Sequence, residues 1–364
     1  MQQKFRMFLY IIRPIGIRVK ICDYVNQNTA HSRGIDLSER TVLEMSVITK
    51  AGLLALAAVL LLPSAQTTQA AQPEPLIVIV QKRQDAQERT LRVLRDGSVE
   101  EAALDTYLAQ VVLSEMPASF APEALKAQAV AARTFACRQT AGGKHENADV
   151  CAQSACCQAC LTVEDLRARY GDGFEAAWDK ALAAVRETQN EVLTYEGALI
   201  DAVYFSCSGG ATEAAVAVWG TDVPYLQSVE SPGEEIAPRF SSQEIFAPAE
   251  FSEILRAENP DVHLTGSPET WVGETAYTEG GSVETCVIGG IAFSGTKLRQ
   301  LFGLNSARFT LTLKDGQFVF DVQGFGHRVG MSQYGAESMA RIGFSYRSIL
   351  LYYYQGAEIG RYEA

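Results

Sequence analysis

The sequence is poor in several things that would otherwise suggest a function. Of 364 residues, four are histidine and three are tryptophan. No HExxH segment is present, so the usual helix-borne zinc hydrolase centre has no foothold. Positive charge is also short: 31 Lys and Arg stand against 43 Asp and Glu, for a formal net charge of −12. The imbalance is uneven. Residues through Ser64 sum to +4 and the rest to −16. A segment that acidic is a poor nucleic-acid binder. There is no internal repeat and no low-complexity tract. What is present, 47% apolar and 20% charged residues, suits a globular protein with a real core. The length allows one large domain or two modest ones.

Long hydrophobic runs are lacking too. Ala51–Leu62, AGLLALAAVLLL, has twelve residues, which is short for a membrane span and suited to a signal-peptide core. Adding Met45–Lys50 gives about 18 residues, marginally enough to span, with Lys50 interrupting them. Met45 reads as a true start, which leaves residues 1–44 as a cytoplasmic tail or an over-extended N-terminus. Residues 45–65 are then a signal peptide or membrane anchor, and 66–89 a linker with a first strand at Leu76–Gln81. A basic segment before the apolar one and an acidic segment after it fit export. Cleavage and anchoring both stay open.

The chain is organised around Leu104–Gln139. Leu104, Leu108, Val111, Val112 and Glu115 recur at helical spacing, so a carboxylate shares an apolar face. Burial raises a carboxyl pKa, which suits a general acid. Met116-Pro117 ends the helix and leaves Glu115 at its negative dipole end, a further upward push. The plainer alternative is a rim carboxylate, solvated or paired with Lys126 or Arg133. Pro122 opens a second helix whose small residues, Ala124, Ala127, Ala131 and Ala132, allow close packing.

Eight cysteines are present, four of them between Cys151 and Cys160, with His145 six residues upstream. Export favours disulfides, but neighbouring Cys156 and Cys157 make a strained bridge. Thiolates and an imidazole in one polar loop suit tetrahedral zinc better. Free thiols are the third possibility, and Cys160 is a rival ligand through Cys157-Gln-Ala-Cys160.

Further along, Thr162–Glu187 is helical, interrupted by Gly-Asp-Gly at 171–173. Asp96-Gly97 and Asp315-Gly316 each mark a hairpin. Val192–Tyr195 and Leu199–Phe205 read as strands, and Tyr346–Tyr354 as a closing helix. Ser206-Cys-Ser208-Gly-Gly is a hydroxyl-rich turn. Trp219 and Tyr225 read as core aromatics or sugar platforms. Gly324-Phe-Gly-His327-Arg-Val-Gly-Met-Ser332-Gln333-Tyr334-Gly-Ala336 is a close-approach loop with polar tips. The fold class is α+β, with mixed helices and antiparallel strands in a two-lobed exported domain with a central cleft.

SEMP followed by EALKAQAVAARTFA, the SGG turn, WG…PYLQSV and the final glycine loop resemble, in that order, the stage II sporulation protein D family, over roughly residues 90–358. Within that span, 234–295 corresponds to a region of variable length. The resemblance implies a lytic transglycosylase that cuts the MurNAc-β-1,4-GlcNAc bond of peptide-stripped glycan strands. Glu115 is its acid and base, and 1,6-anhydroMurNAc ends are its product. It implies a structural zinc on His145, Cys151, Cys156 and Cys157 in the loop 142–160, although Cys156 stands where the family pattern has histidine. Arg133, Ser206, Ser208, His327, Ser332, Gln333 and Tyr334 are the expected substrate-binding residues. Arg328 replaces a usual glycine and is expected to add bulk near the cleft. The expected partners are the glycan strands, a peptidoglycan amidase and sporulation membrane proteins, in engulfment. A non-catalytic wall-binding activator of an amidase is the alternative.

Overall fold

The computed structural model describes residues 89–362. Ala51–Leu62 and the strand expected over Leu76–Gln81 lie outside the described residues. Within them, no helix is long and apolar enough to cross a membrane.

A hairpin opens the fold. Strands β1 (Thr90–Arg95) and β2 (Ser98–Ala103) are joined by Asp96 and Gly97, both with positive φ (48° and 81°). This geometry matches the twist of the flanking strands. The chain passes straight into helix α1 (Leu104–Glu115), in which Tyr107, Leu108, Val111 and Val112 are fully buried. Pro122 sits in the first turn of α2 (Pro122–Gly142). Its alanines let α2 lie close to its neighbours, and Ala124, Ala127, Ala131 and Ala132 are all fully buried.

The break expected at 171–173 within Thr162–Glu187 is present. Helix α3 (Val163–Tyr170) starts at a capping box between Thr162 and Asp165. One 3₁₀ turn over Gly171–Gly173 follows, and α4 (Phe174–Glu187) begins directly after it. Strand β4 (Glu191–Tyr195) pairs with β5 (Ala198–Leu199) and with β14 (Glu358–Arg361) near the C-terminus.

The strand expected over Leu199–Phe205 is not continuous. Val203 N–H donates to Asp201 O at 2.9 Å, a tight turn that re-aims the chain. Tyr204–Phe205 (β6) then joins a different sheet, parallel to Met331–Ser332 (β13). Helices α8 (Gln333–Arg341) and α9 (Tyr346–Tyr353) follow and pack on α2. Together these elements enclose a first hydrophobic core.

Between β6 and β13 the chain builds a second core. Strand β7 (Ser241–Phe246) pairs with β12 (Gln317–Gln323), itself the partner of β11 (Phe309–Lys314) across the Asp315-Gly316 turn. Strands β8 (Val272–Tyr277), β9 (Val283–Ile288) and β10 (Ile291–Ser294) form a further sheet. Helix α6 (Pro248–Glu258) supplies Phe251, which stacks on Phe318 with centroids 3.9 Å apart. Phe302 and Phe320 complete this aromatic cluster. The stretch 234–295 thus provides much of the second core. The fold is α+β.

Candidate active site

Glu115 is the last residue of α1, and Met116 leaves the helix in an extended conformation (φ −120°, ψ 142°). The carboxylate is held from two directions. Its Oε1 accepts from the Ala159 backbone N–H at 3.0 Å, and its Oε2 from Gln333 Nε2 at 3.1 Å. Burial pushes the Glu115 pKa up, and the two hydrogen bonds offset this only in part. Neither cation proposed for the rim alternative pairs with it. Lys126 binds Glu123 and Glu187, at 2.9 and 2.6 Å. Arg133 is buried, donating to Thr188 O and Val185 O at 2.8 Å each.

The raised pKa has a consequence for stability. Below the ordinary value of 4.5, Glu115 is protonated whether the chain is folded or not, and the stabilisation is fully present. It is lost as pH rises through the raised folded value. Glu115→Gln removes that loss. The variant is expected to melt above the wild type near neutral pH, and the difference should close in acid. Thermal melts across pH check this; equal melting temperatures throughout would contradict it.

Glu115 opens into a cleft of about 770 Å³. One wall is the Met116–Phe120 turn together with Arg169, Tyr170 and Lys180 from α3 and α4. Ser206, Gln333 and Tyr334 form the other. This second wall exists because β6 and β13 pair, which brings Ser206 beside Gln333. The Tyr334 N–H donates to Ser206 O at 3.0 Å, and the Tyr334 ring meets Phe120 edge-on at 5.0 Å. Glu115 is the single carboxylate among the described residues lining the cleft. All of the lining comes from elements around the first core, so this cleft is not a seam between the two cores.

Four expected substrate-binding residues lie elsewhere, each for a structural reason. Arg133, 2% exposed, caps the carbonyls at the C-terminal end of α4. Ser208 is fully buried, and its hydroxyl donates to Glu234 Oε2 at 2.8 Å. That carboxylate also takes the Ser208 and Gly209 N–H groups, which fixes the SGG turn. Ser332 is the N-cap of α8, accepting from Gly335 N–H at 3.1 Å. His327 packs on Trp219 and Phe205. Its Nδ1 accepts from Val329 N–H at 3.1 Å, so Nε2 carries the proton donated to Tyr204 O at 3.0 Å. Burial lowers its pKa to about 4, so the ring is neutral at physiological pH.

Arg328 is not at the cleft either. It is 1% exposed and forms an ion pair with Glu213 at 3.2 Å. It also donates to Ser208 O, Ala211 O and Gly280 O at 2.7, 2.7 and 2.6 Å, and to Ser282 Oγ. Its φ of 67° explains why a glycine suits this position.

Arg169, Lys180 and Ala159 escape sequence reasoning. Arg169 and Lys180 sit on polar helix faces that read as solvated, and Ala159 contributes only its backbone. Of the two aromatics, Trp219 is largely exposed. Tyr225 packs on Tyr195 and accepts from Asp201 N–H at 3.1 Å.

The Cys/His loop lies beside the cleft. Donor atoms of His145, Cys151, Cys156 and Cys157 all fall within 4.8 Å of one another. His145 Nε2 is 3.3 Å from Cys157 Sγ and 3.8 Å from Cys156 Sγ. Tetrahedral zinc with thiolate bonds places its ligands about 3.8 Å apart, so these four residues fit such an ion. Cys160 does not compete. It stands outside that cluster, buried at 3.6 Å from Arg95 Nη2. The seven described cysteines are all unbridged. The following segment straps α1: Gln158 accepts from Tyr107 OH at 3.1 Å, and Leu161 N–H donates to Ser114 Oγ at 2.9 Å.

Residues 95–195 match a family described as "Stage II sporulation protein". The chain is 40% identical over 271 residues to "Stage II sporulation protein D" of Bacillus subtilis (strain 168), covering 73% of this chain and 77% of that protein. The protein of the same name from Bacillus amyloliquefaciens is 40% identical over 266 residues, covering 72% and 75%. An "Amidase enhancer" of Bacillus subtilis (strain 168) is 29% identical over 305 residues, covering 69% of this chain and 40% of the relative.

Proposed function

The chain belongs to the stage II sporulation protein D family and is similar to an amidase enhancer, and we propose that it is a lytic transglycosylase acting on peptidoglycan. The observation that carries this reading is the lone, partly buried carboxylate of the cleft. A glycosidase that uses water needs two carboxyl groups across the scissile bond. A transglycosylase needs one, because the substrate brings its own nucleophile.

In this reading, protonated Glu115 gives its proton to the glycosidic oxygen between MurNAc and GlcNAc, and the C1–O bond breaks. The resulting carboxylate then takes the proton of the muramoyl C6 hydroxyl as that oxygen bonds to C1. The product is a 1,6-anhydro end, and Glu115 is protonated again for the next cycle. The raised pKa favours the first step. Gln333 and Ala159 keep the carboxylate oriented for both, and each carboxylate oxygen retains lone-pair capacity for the proton. Ser206 and Tyr334 present hydroxyls to the sugar. Mass analysis of glycan products tests this. Anhydro-muramoyl ends are expected from peptide-free strands, whereas ordinary reducing ends would mean hydrolysis and overturn the reading.

The similarity to an amidase enhancer favours one rival, a non-catalytic activator of a peptidoglycan amidase. That rival predicts binding without cleavage and indifference to Glu115→Gln. The proposed setting is the exported side of a membrane in sporulation, with glycan strands and an amidase as partners.

His145, Cys151, Cys156 and Cys157 would hold a structural zinc, whose role is to cross-link the loop that follows α2. With four protein ligands it leaves no open position for substrate. Chelation is expected to lower the melting temperature and release one zinc per chain in metal analysis. Turnover of the still-folded fraction should fall less, since Tyr107 and Ser114 hold the strap independently of the metal. Loss of activity at an unchanged melting temperature would refute a purely structural metal.

A further inference from the structure

The cleft wall opposite Ser206 and Gln333 carries two cations, Arg169 and Lys180. Neither forms an ion pair with a carboxylate among the described residues. This is unusual company for a region whose net charge is −16 beyond Ser64. Most other basic groups around the first core are neutralised, as Lys126 is by Glu123 and Glu187.

Both cations are fixed by backbone carbonyls flanking Glu115. Arg169 Nη1 donates to Leu113 O and Ser114 O at 3.3 and 3.4 Å. Lys180 Nζ donates to Ala118 O and Phe120 O at 2.7 and 2.5 Å. A lysine ammonium has three donors and a guanidinium five. Lys180 therefore keeps one N–H, and Arg169 several, for a ligand. Fixing each head group beforehand reduces the entropy lost on binding. Two positioned cations beside a single acid describe a site for an anionic substituent on the sugar strand.

An amidase that removes the stem peptide hydrolyses the amide at the lactyl group of muramic acid. The strand it leaves carries a lactyl carboxylate on each muramoyl residue, where an intact strand carries a neutral amide. We infer that Arg169 and Lys180 form a subsite for this lactyl carboxylate and so select peptide-stripped strands. The inference rests on the peptidoglycan reading above. It assigns the choice of substrate to two residues that take no part in the proton transfers.

Binding separates this idea from catalysis. Glu115→Gln protein serves as the parent so that strands stay whole. Two probes are compared: amidase-stripped glycan strands, and the same strands with their lactyl carboxylates converted to methylamides. The parent is expected to prefer the carboxylate strands by about tenfold or more, the size of one charge-assisted hydrogen bond. Adding Lys180→Met or Arg169→Met shrinks that preference, both together bring it near one, and Lys180→Arg retains it. Equal binding of both probes by the parent, or an undiminished preference in the double variant, overturns the inference. If wild-type protein yields no anhydro ends yet the preference follows Arg169 and Lys180, the transglycosylase reading falls and the subsite stands.

Discussion

Replacing Glu115 with glutamine is expected to lower the yield of anhydro-muramoyl ends by about three orders of magnitude, the middle of the range for a lost general acid–base group. The loss should be large because, in the proposed mechanism, one side chain serves both proton transfers. Among the described residues, no second carboxylate lines the cleft to take over either step. Glutamine preserves the shape and can still accept the Ala159 N–H, so strand binding should persist. The wild-type rate should fall on the alkaline side, as Glu115 ionises and can no longer protonate the leaving oxygen. Burial, the largest influence on its pKa, places that limb above the ordinary carboxyl value. Full activity in the glutamine variant would remove Glu115 from the mechanism, whereas strand binding with no cleavage by either protein would move the chain to the amidase-activator class.

Arg328→Met should cost about 3–5 kcal/mol of stability, the usual result of stripping one partner from a buried ion pair. That corresponds to a drop in melting temperature on the order of 10 °C for a domain of this size. The variant leaves Glu213 without its guanidinium and removes donors from three backbone carbonyls that Arg328 satisfies. Arg328→Gly relieves a left-handed backbone, yet it loses the same partners and should also destabilise. Arg328→Met combined with Glu213→Leu is expected to recover part of the loss, because an apolar pair can replace a buried ion pair at little cost. Chemical denaturation of all three variants checks the series. Equal stability of Arg328→Met and wild type would mean that the pair is solvated in solution.

Local signals carried much of what the sequence revealed. The stripe from Leu104 to Glu115, the stop at Pro117 and both Asp-Gly turns involve neighbours within one or two helical turns or one hairpin. The His145-to-Cys157 spacing is equally local. Other features depend on partners far along the chain. Arg133 is expected at the substrate by resemblance, but α2 is enclosed and its partners are carbonyls at the C-terminal end of α4. Ser208 looked like a ligand hydroxyl until Glu234, 26 residues on, claimed it. Arg169 and Lys180 were invisible for the opposite reason. Their helix faces are polar, and only the tertiary fold turns those faces towards Glu115.

The pairing of β6 with β13 also sets an order of events. Ser206 and Ser332, whose hydrogen bond of 3.4 Å closes this junction, are 126 residues apart, and the whole second core lies between them. Closing such a loop costs about 4 kcal/mol of chain entropy before any new contact offsets it. A chain emerging N-terminus first makes Glu115 and its helix early, but gains Gln333 only after that long excursion has returned. A half-made or unravelled molecule therefore has an acid without a cleft. In the transglycosylase reading, the capacity to cut arrives together with the finished fold.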